Sequence, residues 1–83
     1  VLVHHLKTLP EFFEAIASGV KKFEVRKDDC DYGVADILVL EEWSPEKGYT
    51  GRHERRDVDY ILRDEKFGVK RGFCIMSISK REQ

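Results

Sequence analysis

Apolar and polar residues change period several times along this chain, and each change marks an element. In "VLVHHLKTL", Leu2, His4 and Leu6 point one way and Val3, His5 and Lys7 the other, which predicts a short strand. "TLPEFFEAIASG" shifts to helical spacing. Phe12, Phe13 and Ile16 form its apolar stripe, while Glu11 and Glu14 face water beside the positive helix N-terminus. Thr8 with Glu11 three positions on reads as a capping box, Pro10 suits the first turn, and Gly19 supplies the stop. "KKFEVRK" returns to period two, which predicts Phe23 and Val25 inward and Lys22, Glu24 and Arg26 together on the opposite face.

After the turn chemistry of "DDCDYG", the unbroken apolar run Ile37 to Leu40 predicts a central strand buried on both faces. "SPEKGYTG" is a loop or hairpin connection built on Pro45, Gly48 and Gly51, and the next strand carries Val58, Tyr60 and Leu62 on one face. "EKFGVKRG" reads as a basic loop, and "FCIMSISK" as a last strand mostly buried on both sides. One helix and about five strands predict an α+β, mainly β fold: a small, partly closed β-barrel with the helix packed over an end or opening. Closing the sheet removes exposed strand edges.

Composition narrows this picture. The 83 residues suit one small domain, taken as 1–83; 41% are hydrophobic and 37% charged, so the chain is globular and well solvated. A formal net charge of −1 argues neither for nor against a nucleic acid partner, which only local charge can decide. No apolar run approaches the roughly 20 residues of a membrane span, and no secretion-signal pattern opens the chain. It opens on Val1 rather than Met, which leaves the native start open. Cys30 and Cys74 form no C-x-x-C pair, and His4, His5 and His53 fall at no metal-ligand spacing, so neither metal nor cofactor is expected. The absence of a secretion signal favours free thiols in a reducing, cytoplasmic setting, with a monomer as the default state.

The local charge is unusual in "SGVKKFEVRKDD", where Lys21, Lys22, Arg26 and Lys27 crowd around Glu24. On an extended strand, Glu24 and Arg26 share a face with Cα atoms roughly 6.5–7 Å apart. Glu24 can orient the Arg26 guanidinium to fork onto a phosphate or base edge, or accept from a base amine itself. Lys21, at the helix–strand junction, adds a mobile charge suited to phosphate. The competing reading is a solvated strand face with a surface ion pair contributing about 0–1 kcal/mol. A second basic run, Arg52, His53, Arg55 and Arg56, can extend an electrostatic track for a nucleic-acid backbone, and Tyr49 beside it can stack on a base. Against that, Arg55 and Arg56 must face opposite ways on a strand, and Asp57 and Asp59 can neutralise them. One of His4 and His5 must face inward, as a hydrogen-bonded core histidine. Phe12, Phe13 and Trp43 read as core.

The segments "HHLKTLPEFFEAIASGVKKFEVRKDD", "ADILVLEEW" and "GYTGR" resemble the small bacterial and phage ASCH/PUA-like domains grouped as DUF3850, from about His4 to Ile78. The strongest element is G-x-K-x-x-E-x-R, here Gly19, Lys21, Glu24 and Arg26. The resemblance implies a PUA-like barrel that binds RNA or a modified nucleotide in a cleft beside the helix–strand junction. Lys21, Lys22, Glu24 and Arg26 would line it, Tyr49, Thr50 and Arg52 would come from a facing loop, and His4 and Lys7 match the family's H-x-L-K. One departure is Ala35-Asp36, where such domains usually begin the strand with G-D; alanine is strained there if φ is positive.

Some ASCH-like proteins are amidohydrolases acting on acylated cytidine, using a lysine, a threonine three residues later and a distant glutamate. Here Glu24 stands in the threonine's place, and the sequence does not set Thr50 beside Lys21. A small hydrolase of this superfamily, or ribonuclease chemistry through His4 or His53, is therefore the lesser reading. A third reading is a protein-interaction module, such as a phage-encoded regulator. It requires a contiguous exposed apolar patch, for which the strand patterns leave little material.

Overall fold

The chain runs β1 (Val3–Thr8), α1 (Pro10–Ala17), β2 (Phe23–Lys27), β3 (Ile37–Ser44), β4 (Gly48–Leu62) and β5 (Phe73–Ser79), with one 3-10 turn at Glu65–Phe67. The computed structural model describes residues 1–81. All five strands join one sheet in the order β1-β3-β4-β5-β2. β1 lies parallel to β3, and the other pairings are antiparallel. The sheet curls into a half-barrel, an α+β fold that is mainly β. β1 and β2, the strands that flank α1 in sequence, are its two edges, and no backbone ladder joins them among the described residues.

The inner face carries Leu6, Leu38, Leu40, Val58, Cys74, Met76 and Ile78, closed over by Ile16 of α1 and by Tyr32. The helix packs on β3 and β4. Phe13 and Ile16 are fully buried, but Phe12 is 46% exposed rather than core, because consecutive helical residues point about 100° apart and only one of them can face the sheet. The capping box does not form. Leu9 is the N-cap, without a side-chain hydrogen bond, and the Thr8 hydroxyl, still on β1, donates to the Leu6 carbonyl at 3.2 Å. At the other end Gly19, at φ +85°, turns the chain as expected. The buried Arg56 donates to the Ile16 carbonyl at 3.0 Å, satisfying an acceptor in the helix's last turn.

Three strand readings are corrected. β2 is inverted: Glu24 is buried, while Phe23 and Val25 are exposed, because the register sets Glu24 opposite the buried Met76 and Val25 opposite Ile75. β3 and β5 bury one face fully and the other only in part. In β4 a bulge between Val58 and Tyr60 shifts the phase, so Val58 is buried, Tyr60 faces solvent and Ile61 packs on the core instead. "GYTG" belongs to β4 itself, in a hairpin that pairs Ser44 with Gly48 and Trp43 with Tyr49.

At the start of β3, Asp36 is buried and receives hydrogen bonds from the Leu2 N–H (2.9 Å), the Gly33 N–H (2.9 Å) and His4 Nε2 (2.8 Å). His4 is thus the inward histidine, packed against the Tyr32 ring at 4.6 Å between centroids. Burial pushes the Asp36 carboxyl up, but the bonds from Leu2, His4 and Gly33 outweigh it and hold the group at about 2. The turn that aims Asp36 requires φ +75° at Ala35, so the strain anticipated for alanine is present.

Two outcomes follow. Ala35→Gly relieves the left-handed strain and raises stability by about 0.5–1 kcal/mol, read as a higher midpoint in urea. The Asp36 contribution is complete above the ordinary carboxyl value of 3.8 and is lost as pH falls toward 2, because the folded group is the stronger acid. Asp36→Asn therefore lowers stability at neutral pH and flattens its decline between pH 4 and 2; an unchanged acid limb would refute the assignment.

Candidate functional site

The seam between the sheet's two edges holds a cleft of about 410 Å³, lined by the end of β1, the start of α1 and β2. Its polar wall comes from three residues of "KKFEVR". Glu24 points inward with only 4% of its side chain exposed. Lys21 donates to one carboxylate oxygen, and Arg26 Nε donates to the other at 2.8 Å. Both cations are then tied again: Lys21 to the Phe23 carbonyl at 2.7 Å, and Arg26 Nη2 to the Lys7 carbonyl at 3.0 Å and the Thr8 hydroxyl at 3.4 Å.

This pattern has a mechanical and an electrostatic consequence. Arg26 reaches from β2 to the backbone of β1 and bridges the two edges where no ladder does. With one carboxylate between two cations, the cluster keeps one net positive charge at the cleft wall. The Arg26 Nη1 group has no protein acceptor among the described residues, and a guanidinium carries five N–H donors in a fixed fork. It is held in place and still able to donate. The rest of the lining is apolar: Leu9, Phe12, Phe23 and Val25. The Lys21 ammonium lies 4.9 Å from the Phe23 ring centroid and 5.9 Å from that of Phe12, within cation–π range. An anion attached to a flat ring matches both kinds of wall.

The residues singled out from sequence separate into groups. Lys21, Glu24 and Arg26 meet in the cleft; Lys7 borders it and joins the cluster only through its carbonyl, while its ammonium lies 4.6 Å from the Trp43 ring centroid. Lys22 is exposed and borders a different depression, of about 300 Å³, with Gly19, Arg56 and Ile78. His4 is committed to Asp36 inside the barrel. Tyr49, Thr50 and Arg52 do not line the cleft. The Thr50 hydroxyl donates to the buried Glu42 at 2.8 Å, and Arg52 bonds Glu14 of α1 at 2.6 Å while stacking 4.9 Å over the Phe13 ring. The Thr50 bond ties the two strands of the hairpin together, and the Arg52 contacts pin the hairpin to the helix. Thr8, Leu9, Phe12, Phe23 and Val25 are the lining residues that sequence reasoning missed. Phe23 and Val25 were assigned to the core by periodicity, and the inverted phase of β2 frees them.

No group of three or more potential metal ligands occurs among the described residues, and none of their helices is long and apolar enough to cross a membrane. Burial pushes the Cys74 thiol up, which disfavours its thiolate. Glu24→Gln keeps the shape of the clamp but leaves two cations uncompensated. It is expected to cost about 1–3 kcal/mol in urea unfolding, and a neutral result would show that the three groups do not share a charge balance.

Comparison with known proteins places this geometry in a family. Over 50 residues the chain is 36% identical to an uncharacterized 12.9 kDa protein in the GpA 3′ region of Escherichia phage P2, a match covering 60% of this chain and 45% of that protein. The chain thus aligns with under half the length of that relative. The family model for the domain of unknown function DUF3850 matches residues 3–78, which include every strand but the last residue of β5, the helix and the whole Lys21–Glu24–Arg26 clamp. The chain belongs to the DUF3850 family.

Proposed function

We propose that this protein is a cytoplasmic, PUA-like domain that binds RNA or a nucleotide, modified or not, in the cleft at the open seam of its half-barrel. The observation that carries the reading is the clamp itself, a buried carboxylate that fixes two cations against aromatic walls. Stability alone is a poor reason for it, because a buried ion pair is often matched or bettered by apolar residues of similar volume. A guanidinium held rigid with Nη1 unspent is suited to a phosphate or base edge, since little rotamer entropy remains to be lost on binding. Phe12 and Phe23 offer faces for a base, and base–aromatic stacking contributes about 1–3 kcal/mol.

Within this reading Arg26 and Lys21 contact the ligand, and Lys7 adds charge at the rim. Glu24 is a positioning residue: it is buried, and each of its oxygens accepts from Lys21 or Arg26, so its role in this reading is to orient Arg26 rather than to read a base amine. Lys22, Tyr49, Thr50, Arg52 and His4 support the fold around the cleft or lie beyond it.

Titration of AMP, CMP and a short single-stranded RNA into isotopically labelled protein tests the proposal. Chemical-shift changes are expected on Lys7 to Phe12 and on Lys21 to Arg26. Arg26→Lys retains charge but loses the planar fork, and is expected to weaken binding about tenfold, within the roughly 1–3 kcal/mol of a forked arginine contact. Full affinity in that variant, or shifts confined to other surfaces, would overturn the assignment.

A further inference from the structure

The inverted phase of β2 exposes a surface that the strand patterns concealed. On the convex side of β2, β5 and β4, the registers set Phe23, Ser77 and Tyr60 in one row and Val25, Ile75 and Leu62 in the next. Phe23 is 46% exposed, Val25 50% and Tyr60 64%. These six positions carry no charge in a chain that is 37% charged, and a contiguous exposed patch of this kind marks a contact surface. The following row pairs Lys27 with Phe73, whose ring lies 5.3 Å from the Lys70 ammonium. The patch also runs without a break into the cleft, because Phe23 and Val25 line both.

We propose that this convex face is a stacking platform for single-stranded nucleic acid, continuing the strand whose first nucleotide sits in the cleft; it rests on the reading of the cleft given above. Phe23 and Tyr60 stand two strand spacings apart, about 10 Å, with the small Ser77 between them. Sheet faces that bind single strands stack two or three bases on such aromatics. Lys27 and Lys70, neither paired with a carboxylate among the described residues, supply phosphate contacts at the far row. Of the acidic neighbours, Asp59 beside Tyr60 is engaged by the Ser79 hydroxyl at 3.1 Å, and Asp28 beside Lys27 is held by Arg63 at 2.5 Å. Aromatic rings with free lysines at the border favour a polyanion carrying flat rings over an apolar protein partner, which has no use for those cations.

The test compares a fluorescently labelled single-stranded RNA hexamer with AMP and CMP, using the parent protein, Tyr60→Ala, Tyr60→Phe and Arg26→Lys. Tyr60 is exposed and outside the cleft, so its loss leaves fold and cleft intact. The expected result is a hexamer that binds more tightly than either mononucleotide. Tyr60→Ala loses about tenfold for the hexamer and nothing for AMP or CMP, and Tyr60→Phe restores the loss. A hexamer no tighter than AMP or CMP and indifferent to Tyr60→Ala would overturn the platform and leave the cleft standing. Hexamer binding that falls with Tyr60→Ala but ignores Arg26→Lys would support the platform and remove the cleft from it. Failure of the hexamer and both mononucleotides to bind would end both proposals. A concentration-dependent dimer in sedimentation that Tyr60→Ala dissolves would assign the face to protein contact and overturn the platform.

Discussion

A carboxylate withdrawn from water must be met by opposite charge or hydrogen bonds, and in this fold that requirement falls on Glu24. Its two partners are supplied within six residues of chain: Lys21 from the helix–strand connection and Arg26 from the same face of the same strand. Satisfying Glu24 therefore decides which way β2 faces. Once Glu24 is inside, Phe23 and Val25 must be outside, and Arg26 must extend along the inner surface until it meets the end of β1. The phase of an edge strand, the bridge across the seam and the polar wall of the cleft are one arrangement seen from three directions.

Periodicity located the helix and all five strands in the sequence, because apolar spacing reports how often a face returns to the core. It does not report which of two alternating faces is chosen when both carry long side chains. In β2 the alternatives were Phe23 and Val25 against Glu24 and Arg26, and hydrophobicity favoured the wrong one. An edge strand meets little apolar material on its inner side; here it meets the Lys7 carbonyl and the Thr8 hydroxyl. Tyr60 failed for another reason, since a bulge adds a residue and shifts the phase without leaving a mark in composition. The strain at Ala35 was legible only through the family resemblance, because such domains usually place glycine there and this chain supplies alanine.

The candidate site was legible to the same extent. The cluster Lys21, Glu24 and Arg26 declared itself by local charge density, and Lys7 by its place in H-x-L-K. Tyr49, Thr50 and Arg52 looked like a loop because Gly48 and Gly51 sit among them, yet the sheet absorbs both glycines at positive φ within a long β4. Hairpin length decides where those side chains arrive, and no residue pattern fixed it. The apolar walls escaped notice for the converse reason: a residue that pattern assigns to the core is not considered as lining.

The parallel pairing of β1 with β3 carries a further consequence, for the order of assembly. β3, β4 and β5 follow one another as a meander whose pairings close over short stretches of chain, apart from the connection through the 3-10 turn. β1 must cross the helix and β2 to reach β3, and β2 must wait for the last strand to be made before it has a partner. Loop-closure entropy thus weighs most heavily on the two strands that form the seam. The cleft is a property of the finished topology alone, absent from any folding intermediate built on the central meander. Whatever occupies it spans the last joint to close, and so adds its binding free energy where the sheet is most ready to open.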